Sequence, residues 1–200
     1  MLRRMRRISF LYLSLLPLVV AVQAGEAHAT NFGSTACGGT PRNCGNLLSS
    51  TAGSAPIGFY QVSNGFRDAV LNRASYSYPS LATDVEFVNI GSATPSQGVL
   101  ILEVTNPATT VVAWVDCYVG ASGVDPYRTC QVSALYVNDD NINTSTSGNV
   151  SYQRGVACHE LGHTIGLRHA SGDTCLYNPA SAMRLSTVQH DRDHSKAFYQ

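Results

Sequence analysis

Charged side chains are scarce in this chain: they make up 13% of its 200 residues, Lys and Arg together matching Asp and Glu at 13 each. Arg3, Arg4, Arg6 and Arg7 fall within the first seven residues. Setting 1–29 aside leaves nine basic and twelve acidic residues, a formal charge of −3. No basic surplus remains to attract nucleic acid. Methionine is nearly missing, with Met183 the only one beyond residue 5. Length is limited too, since a chain of this size, 44% hydrophobic, suffices for one core and scarcely for two independent catalytic domains. The apolar run from Ile8 to Val22 is too short to favour a retained membrane span. Behind four arginines it predicts a secretory leader over 1–29, with small-residue cleavage sites after Ala24 and Ala29. A secreted monomer without a membrane anchor is the expectation, and an uncleaved signal anchor is the alternative.

What is present is concentrated in eleven residues, His159-Glu160-Leu161-Gly162-His163-Thr164-Ile165-Gly166-Leu167-Arg168-His169. Residues four apart on an α-helix share a face, so His159 and His163 can direct their imidazoles at one ion. Glu160 lies one residue round, near enough to take a proton from a water on that ion without binding the ion itself. Gly166 can enter the left-handed region, ending the helix and carrying His169 back toward the same point. Three neutral imidazoles with one open position suit Zn2+ and hydrolytic chemistry. With five fixed letters at one-in-twenty odds each, this pattern arises by chance in a chain of this length roughly six times in 100,000. Coincidence is a poor explanation of it.

The motif H-E-x-x-H-x-x-G-x-x-H resembles that of the metzincin metallopeptidases, which carry a Met-turn downstream. Ser181-Ala182-Met183-Arg184 is the candidate for that turn, and the resemblance places Met183 as an apolar floor beneath the ligands. Branches of the family with a zinc-contacting tyrosine two residues after the Met differ here, because that position is Leu185. Matrixin-like members are the nearest in motif. The resemblance implies an α+β, zincin-like metzincin fold: a mixed, twisted sheet of four or five strands, an active-site helix, and a small C-terminal subdomain ending in a helix. It implies a secreted zinc endopeptidase with His159, His163 and His169 as ligands and Glu160 as general base. It also implies an extended peptide substrate pairing along an exposed antiparallel edge strand, which in this chain is Val111 to Tyr118. Two alternatives stay open, a secreted zinc-binding interaction module without catalysis and a hydrolase of small amides.

The remaining segments are ordered by pattern. Residues 30–62 are rich in Gly, Ser, Thr, Asn and Pro and read as an N-terminal disulfide arm, leaving 63–200 as the catalytic domain. Ile57 to Val62 is the one candidate for an extra strand before the first helix. That helix starts after Ser63 or Asn64 and ends near Ser75; strands follow at Val85 to Ile90, Val99 to Val104, Val111 to Tyr118 and Gln131 to Val137. Six cysteines in an exported chain suggest three disulfides. Locality pairs Cys37 with Cys44, Cys117 with Cys130, and Cys158 with Cys175. Pro41-Arg42-Asn43-Cys44-Gly45 also resembles the cysteine switch of matrixin propeptides, with Asn43 interrupting the usual order. Asn138 to Asn143 reads as a polar loop whose oxygens offer Ca2+ ligands, although turn formation explains them equally. The last helix, Thr187 to Phe198, carries His190 and His194 on one face. That spacing permits a second metal site, while Asp191, Arg192, Asp193 and Lys196 make a solvated polar helix the simpler reading.

Overall fold

The computed structural model describes residues 35–36, 43–45, 47–48, 53–78, 85–105, 108, 110–122, 128–146, 149–170, 173–177, 185 and 187–199. The leader, the Cys37–Cys44 pairing and Met183 lie outside them. The strands are β1 (Thr35–Ala36), β2 (Asn43–Gly45), β3 (Leu47–Leu48), β4 (Gly53–Tyr60), β5 (Val85–Asn89), β6 (Gly98–Val104), β7 (Ala113–Val119), β8 (Thr129–Cys130) and β9 (Val132–Asn138). The helices are α1 (Asn64–Tyr76), α2 (Asp139–Thr146), α3 (Val150–Thr164) and α4 (Gln189–Tyr199).

One mixed sheet runs in the order β1-β2-β7-β9-β6-β4-β5, and β3 pairs with β8 apart from it. The strands β5, β4, β6 and β9 are mutually parallel, while β7 runs antiparallel to β9. This is an α+β architecture. Strands β6 and β9 are nearly continuous apolar runs because helices cover one side and further side chains the other. On the helix side, Ile57 and Phe59 of β4, Val99 and Ile101 of β6, and Leu135 and Val137 of β9 meet Phe66 and Val70 of α1 and Leu161 of α3. Each such large side chain, fully buried, contributes about 1.5–3 kcal/mol. The opposite side carries Leu100, Ala134 and a Trp114–Tyr136 stack with centroids 5.1 Å apart.

The first helix follows from its spacing: Phe66, Ala69, Val70 and Ala74 fall on one stripe and are buried, and Ser63 precedes the first turn as N-cap. Three expectations need correction. The strand expected at Ile57 to Val62 forms as β4 but starts earlier, at Gly53, and lies between β5 and β6; its alternation is masked by Gly53, Pro56 and Gly58, which weaken a strand signal. The segment Asn138 to Asn143 is not a loop. Asn138 closes β9 and α2 begins at Asp139, where Asp139 and Asp140 complement the helix N-terminus and buried Ile142 anchors it. The side-chain amides of Asn138 and Asn141 both donate to the Val111 carbonyl, at 3.2 and 2.8 Å.

The third correction concerns the strand expected at Val111 to Tyr118. It forms as β7, from Ala113, and its outer edge is not wholly open: the three-residue β2 pairs antiparallel with it where Asn43 stands opposite Val115. An unpaired strand edge is a template for whichever extended segment reaches it first, and here the chain's own N-terminal part does so.

Candidate metal centre

Helix α3 begins at Asn149, whose side-chain oxygen accepts from the amides of Ser151 and Tyr152 at 2.9 and 3.3 Å. From Gly155 onward the helix is buried on every side, so its polar residues face protein rather than solvent. His159, Glu160 and His163 retain 7%, 6% and 3% of their surface, levels at which a polar group must have a purpose-built partner. Gly162, between the two histidines, is where Tyr78 packs. A Cβ there would stand 2.6 Å from the Tyr78 hydroxyl and 2.9 Å from a Leu176 methyl. The Tyr78 hydroxyl is itself held by donation to the Cys158 carbonyl at 2.6 Å.

The helix ends as the glycine predicted. Gly166 has φ +92°, its amide reaches the His163 carbonyl at 3.3 Å, and the Leu167 amide reaches back to the Gly162 carbonyl at 2.9 Å. This double bond pattern is a Schellman cap. It reverses the chain and returns exposed His169 to the buried pair. The same turn presents the Leu167 carbonyl to His163 Nδ1 at 2.6 Å, and the Cys175 carbonyl faces His159 Nδ1 at 2.7 Å.

Those two carbonyls fix the chemistry of the rings. A carbonyl only accepts, so both Nδ1 atoms donate, and in a neutral ring that leaves each Nε2 with a bare lone pair. Burial keeps the rings neutral, pushing His159 down to about 4 and His163 well below its ordinary value; burial lowers His169 as well. Yet Nε2 of His159 lies 3.0 Å from Nε2 of His163 and 3.1 Å from Nε2 of His169. The ligand atoms of all three residues fall within 4.8 Å of one another. Two lone pairs facing at 3.0 Å repel, and a cation between them turns that repulsion into coordination. Glu160 is a second buried group that lacks its counterpart. Its Oε2 is buried without a hydrogen-bond partner, and burial pushes its carboxyl up to about 8. A nearby positive charge would draw it back toward the ionised form. An imidazole-only donor set suits Zn2+.

The structure thus brings the ring nitrogens of His159, His163 and His169 together, with Glu160 buried beside His159 in the sequence of the same helix. It joins Cys158 to Cys175 and Cys117 to Cys130, both as locality suggested. Sequence reasoning missed Tyr78, which appears there only as part of a helix-stopping stretch, and the carbonyls of Leu167 and Cys175. A carbonyl carries no residue identity, so no sequence signal marks it. It also missed the support beneath Cys175: Thr174 donates to the buried Asp191 carboxylate at 2.6 Å.

No protein-family model matches the sequence, and no curated protein matches it. Among solved structures, the chain is similar to myroilysin at 20% identity and a TM-score of 0.38, over 62% of this chain and 52% of that one. A further myroilysin structure shows 22% identity and a TM-score of 0.35, over 61% and 47%. High choriolytic enzyme 1, a hatching enzyme zinc-protease from the Medaka fish Oryzias latipes, shows 16% identity and a TM-score of 0.35, over 68% and 54%. The chain spans about half the length of these structures. Likenesses this distant do not assign a family.

Proposed function

We propose that the protein is a secreted zinc-dependent endopeptidase with His159, His163 and His169 as metal ligands and Glu160 as general base. The observation that carries this is the convergence of the His159, His163 and His169 ring nitrogens, on a helix that also buries Glu160 with an orphaned oxygen. Bound zinc supplies Lewis acidity, polarising a substrate carbonyl and lowering the pKa of an attacking water. Glu160 Oε2 accepts the water's proton as its oxygen adds to the peptide carbonyl, and then passes that proton to the leaving amide nitrogen. The Cys175 and Leu167 carbonyls hold the His159 and His163 rings in the tautomer that presents Nε2. Burial of Glu160 keeps its proton transfer away from bulk water. Secretion is supported by the predicted leader over 1–29 and by two disulfides, which persist in oxidising compartments. Among the described residues no helix is long and apolar enough to cross a membrane.

The test is Glu160→Ala, assayed for zinc content and for cleavage of an unstructured protein. Zinc should stay and hydrolysis should fall by about 10²- to 10⁴-fold, the range a positioned base supplies. Undiminished cleavage by the variant would remove Glu160 from the mechanism. A wild-type protein that holds zinc and cleaves nothing would instead establish the non-catalytic binding module.

A further inference from the structure

Beyond residue 29 the chain has five histidines, and all of them belong to one of two groups, 159/163/169 and 190/194. The second group lies on α4, away from the first in sequence, and has no part in the proposed hydrolysis. Its geometry repeats that of the first. His190 and His194 have ring centroids 4.5 Å apart and planes at 83°, against 4.5 Å and 86° for His159 and His163. Their Nε2 atoms converge to 3.2 Å. With imidazole–metal bonds of about 2.0–2.1 Å, that separation corresponds to an angle at the ion of roughly 100°, close to tetrahedral.

The helix that carries the pair is anchored at both ends. Fully buried Asp191 accepts from Thr174 Oγ1 at 2.6 Å and from the Val188 amide at 3.2 Å. At the other end the Tyr199 hydroxyl donates to the Ile165 carbonyl at 3.2 Å and accepts from the Leu48 amide at 3.0 Å. The rings therefore stand on a fixed backbone, which reduces the ordering cost of chelation. Both histidines are half-buried, leaving a side from which water can complete a coordination shell. Asp191 and Asp193 place negative charge beside them. The intervening cation, Arg192, is turned to the Thr187 carbonyl and the Gln189 side chain, each at 3.1 Å.

We propose that His190 and His194 form a second metal site, chelating a divalent first-row transition ion through both Nε2 atoms with water in the remaining positions. Two imidazoles suit Zn2+ and, more tightly, Cu2+. Two protein ligands make the site weaker than the three-histidine centre. Its ion clamps α4, and Asp191 on that helix supports Thr174, the residue before the Cys175 carbonyl that orients His159. The site is therefore a stabilising one, and it stands whether or not the first centre hydrolyses peptides.

Zinc titration of the full secreted chain, with free Zn2+ buffered and bound metal counted by equilibrium dialysis, tests this. The wild type should bind two ions in a tighter and a weaker phase. His190→Gln/His194→Gln should lose the weaker phase and keep the tighter one. Filling the weaker phase should raise the thermal midpoint of the wild type and leave that of the variant unmoved. If the double variant does not fold, His190→Gln and His194→Gln separately should each weaken the second phase at least tenfold. Cu2+ added to protein preloaded with one zinc should give a nitrogen-coordinated Cu(II) EPR signal that either single variant diminishes. A single ion in the wild type at millimolar free Zn2+, or a weaker phase that survives both substitutions, overturns the proposal. A ring-to-ring hydrogen bond would then account for the pair.

Discussion

The two disulfides offer a comparison in which the global and local effects of a crosslink separate. Cys158–Cys175 spans 17 residues and Cys117–Cys130 spans 13. In the chain-entropy model both loops are worth about 3 kcal/mol, so removing either pair by Cys→Ala substitution should cost similar stability. With a urea dependence of about 2 kcal/mol per molar, that is a midpoint shift of about 1.5 M. Their local effects differ. The first bridge fixes the residue whose carbonyl binds His159 Nδ1 at 2.7 Å, while the second ties β7 to β8. Loss of an outer partner of a ligating histidine typically lowers metal affinity 10- to 100-fold. Cys158→Ala/Cys175→Ala should therefore weaken zinc binding at the first centre by that factor, measured by competition with a chelator. Cys117→Ala/Cys130→Ala should leave it within about twofold, the precision of such an assay being well inside the 10-fold effect. Equal zinc affinities in the two folded double variants would refute the positioning role given to the Cys175 carbonyl.

His169→Ala should lower zinc retention and peptide hydrolysis together, since it removes a ligand rather than a proton carrier; a variant holding zinc as tightly as wild type places the third ligand elsewhere. Gly162→Ala should destabilise the protein by about 1–2 kcal/mol, because crowding against the tethered Tyr78 hydroxyl and Leu176 outweighs the gain in helix propensity. Adding Tyr78→Phe should recover part of that loss in urea denaturation, and no recovery would mean the clash lies with Leu176 alone. The metal-free protein should be most stable near pH 6.5. Glu160, with its carboxyl raised from 4.5 to about 8, holds a proton in the folded state that the unfolded chain has released, so stability falls as pH rises from 4.5 to 8. His159, lowered from 6.5 to about 4, has the opposite sign, its contribution being lost as pH falls from 6.5 toward 4, and His163 adds to it. Above pH 6.5 the Glu160 effect stands alone and is worth about 2 kcal/mol by pH 8. Glu160→Gln should abolish that decline, and a decline of the same size in the variant would assign it to another group.

Helix α3 and its ligand spacing were legible in eleven letters because a helix is a local structure: the period places His159 and His163 on one face whatever surrounds them. Gly166 was legible for the same reason, since only a residue without Cβ adopts φ +92° at little cost. Strands β5, β6, β7 and β9 followed from β-branched runs between turn residues. The Cys158–Cys175 bridge followed from proximity in the chain.

Other features depended on contacts between distant segments. The helix α2 was hidden because Asp and Asn favour turns locally, and burial of Ile142 together with Asn138 and Asn141 binding the Val111 carbonyl decides the matter in the fold. Only the second half of strand β4 fell within the candidate at Ile57 to Val62, its first half being masked by Gly53 and Pro56, and its place between β5 and β6 follows from pairings with segments tens of residues away. The covering of β7 by β2 joins residues 43 and 115, a pairing no local pattern encodes. By itself, then, the sequence placed His159, Glu160 and His163 on one helix at metal-binding spacing, because identity and helical period are local properties. Only the tertiary structure decided which nitrogen each ring presents, how deeply Glu160 is buried and which strand edge is taken, because those depend on backbone carbonyls and neighbours far away along the chain.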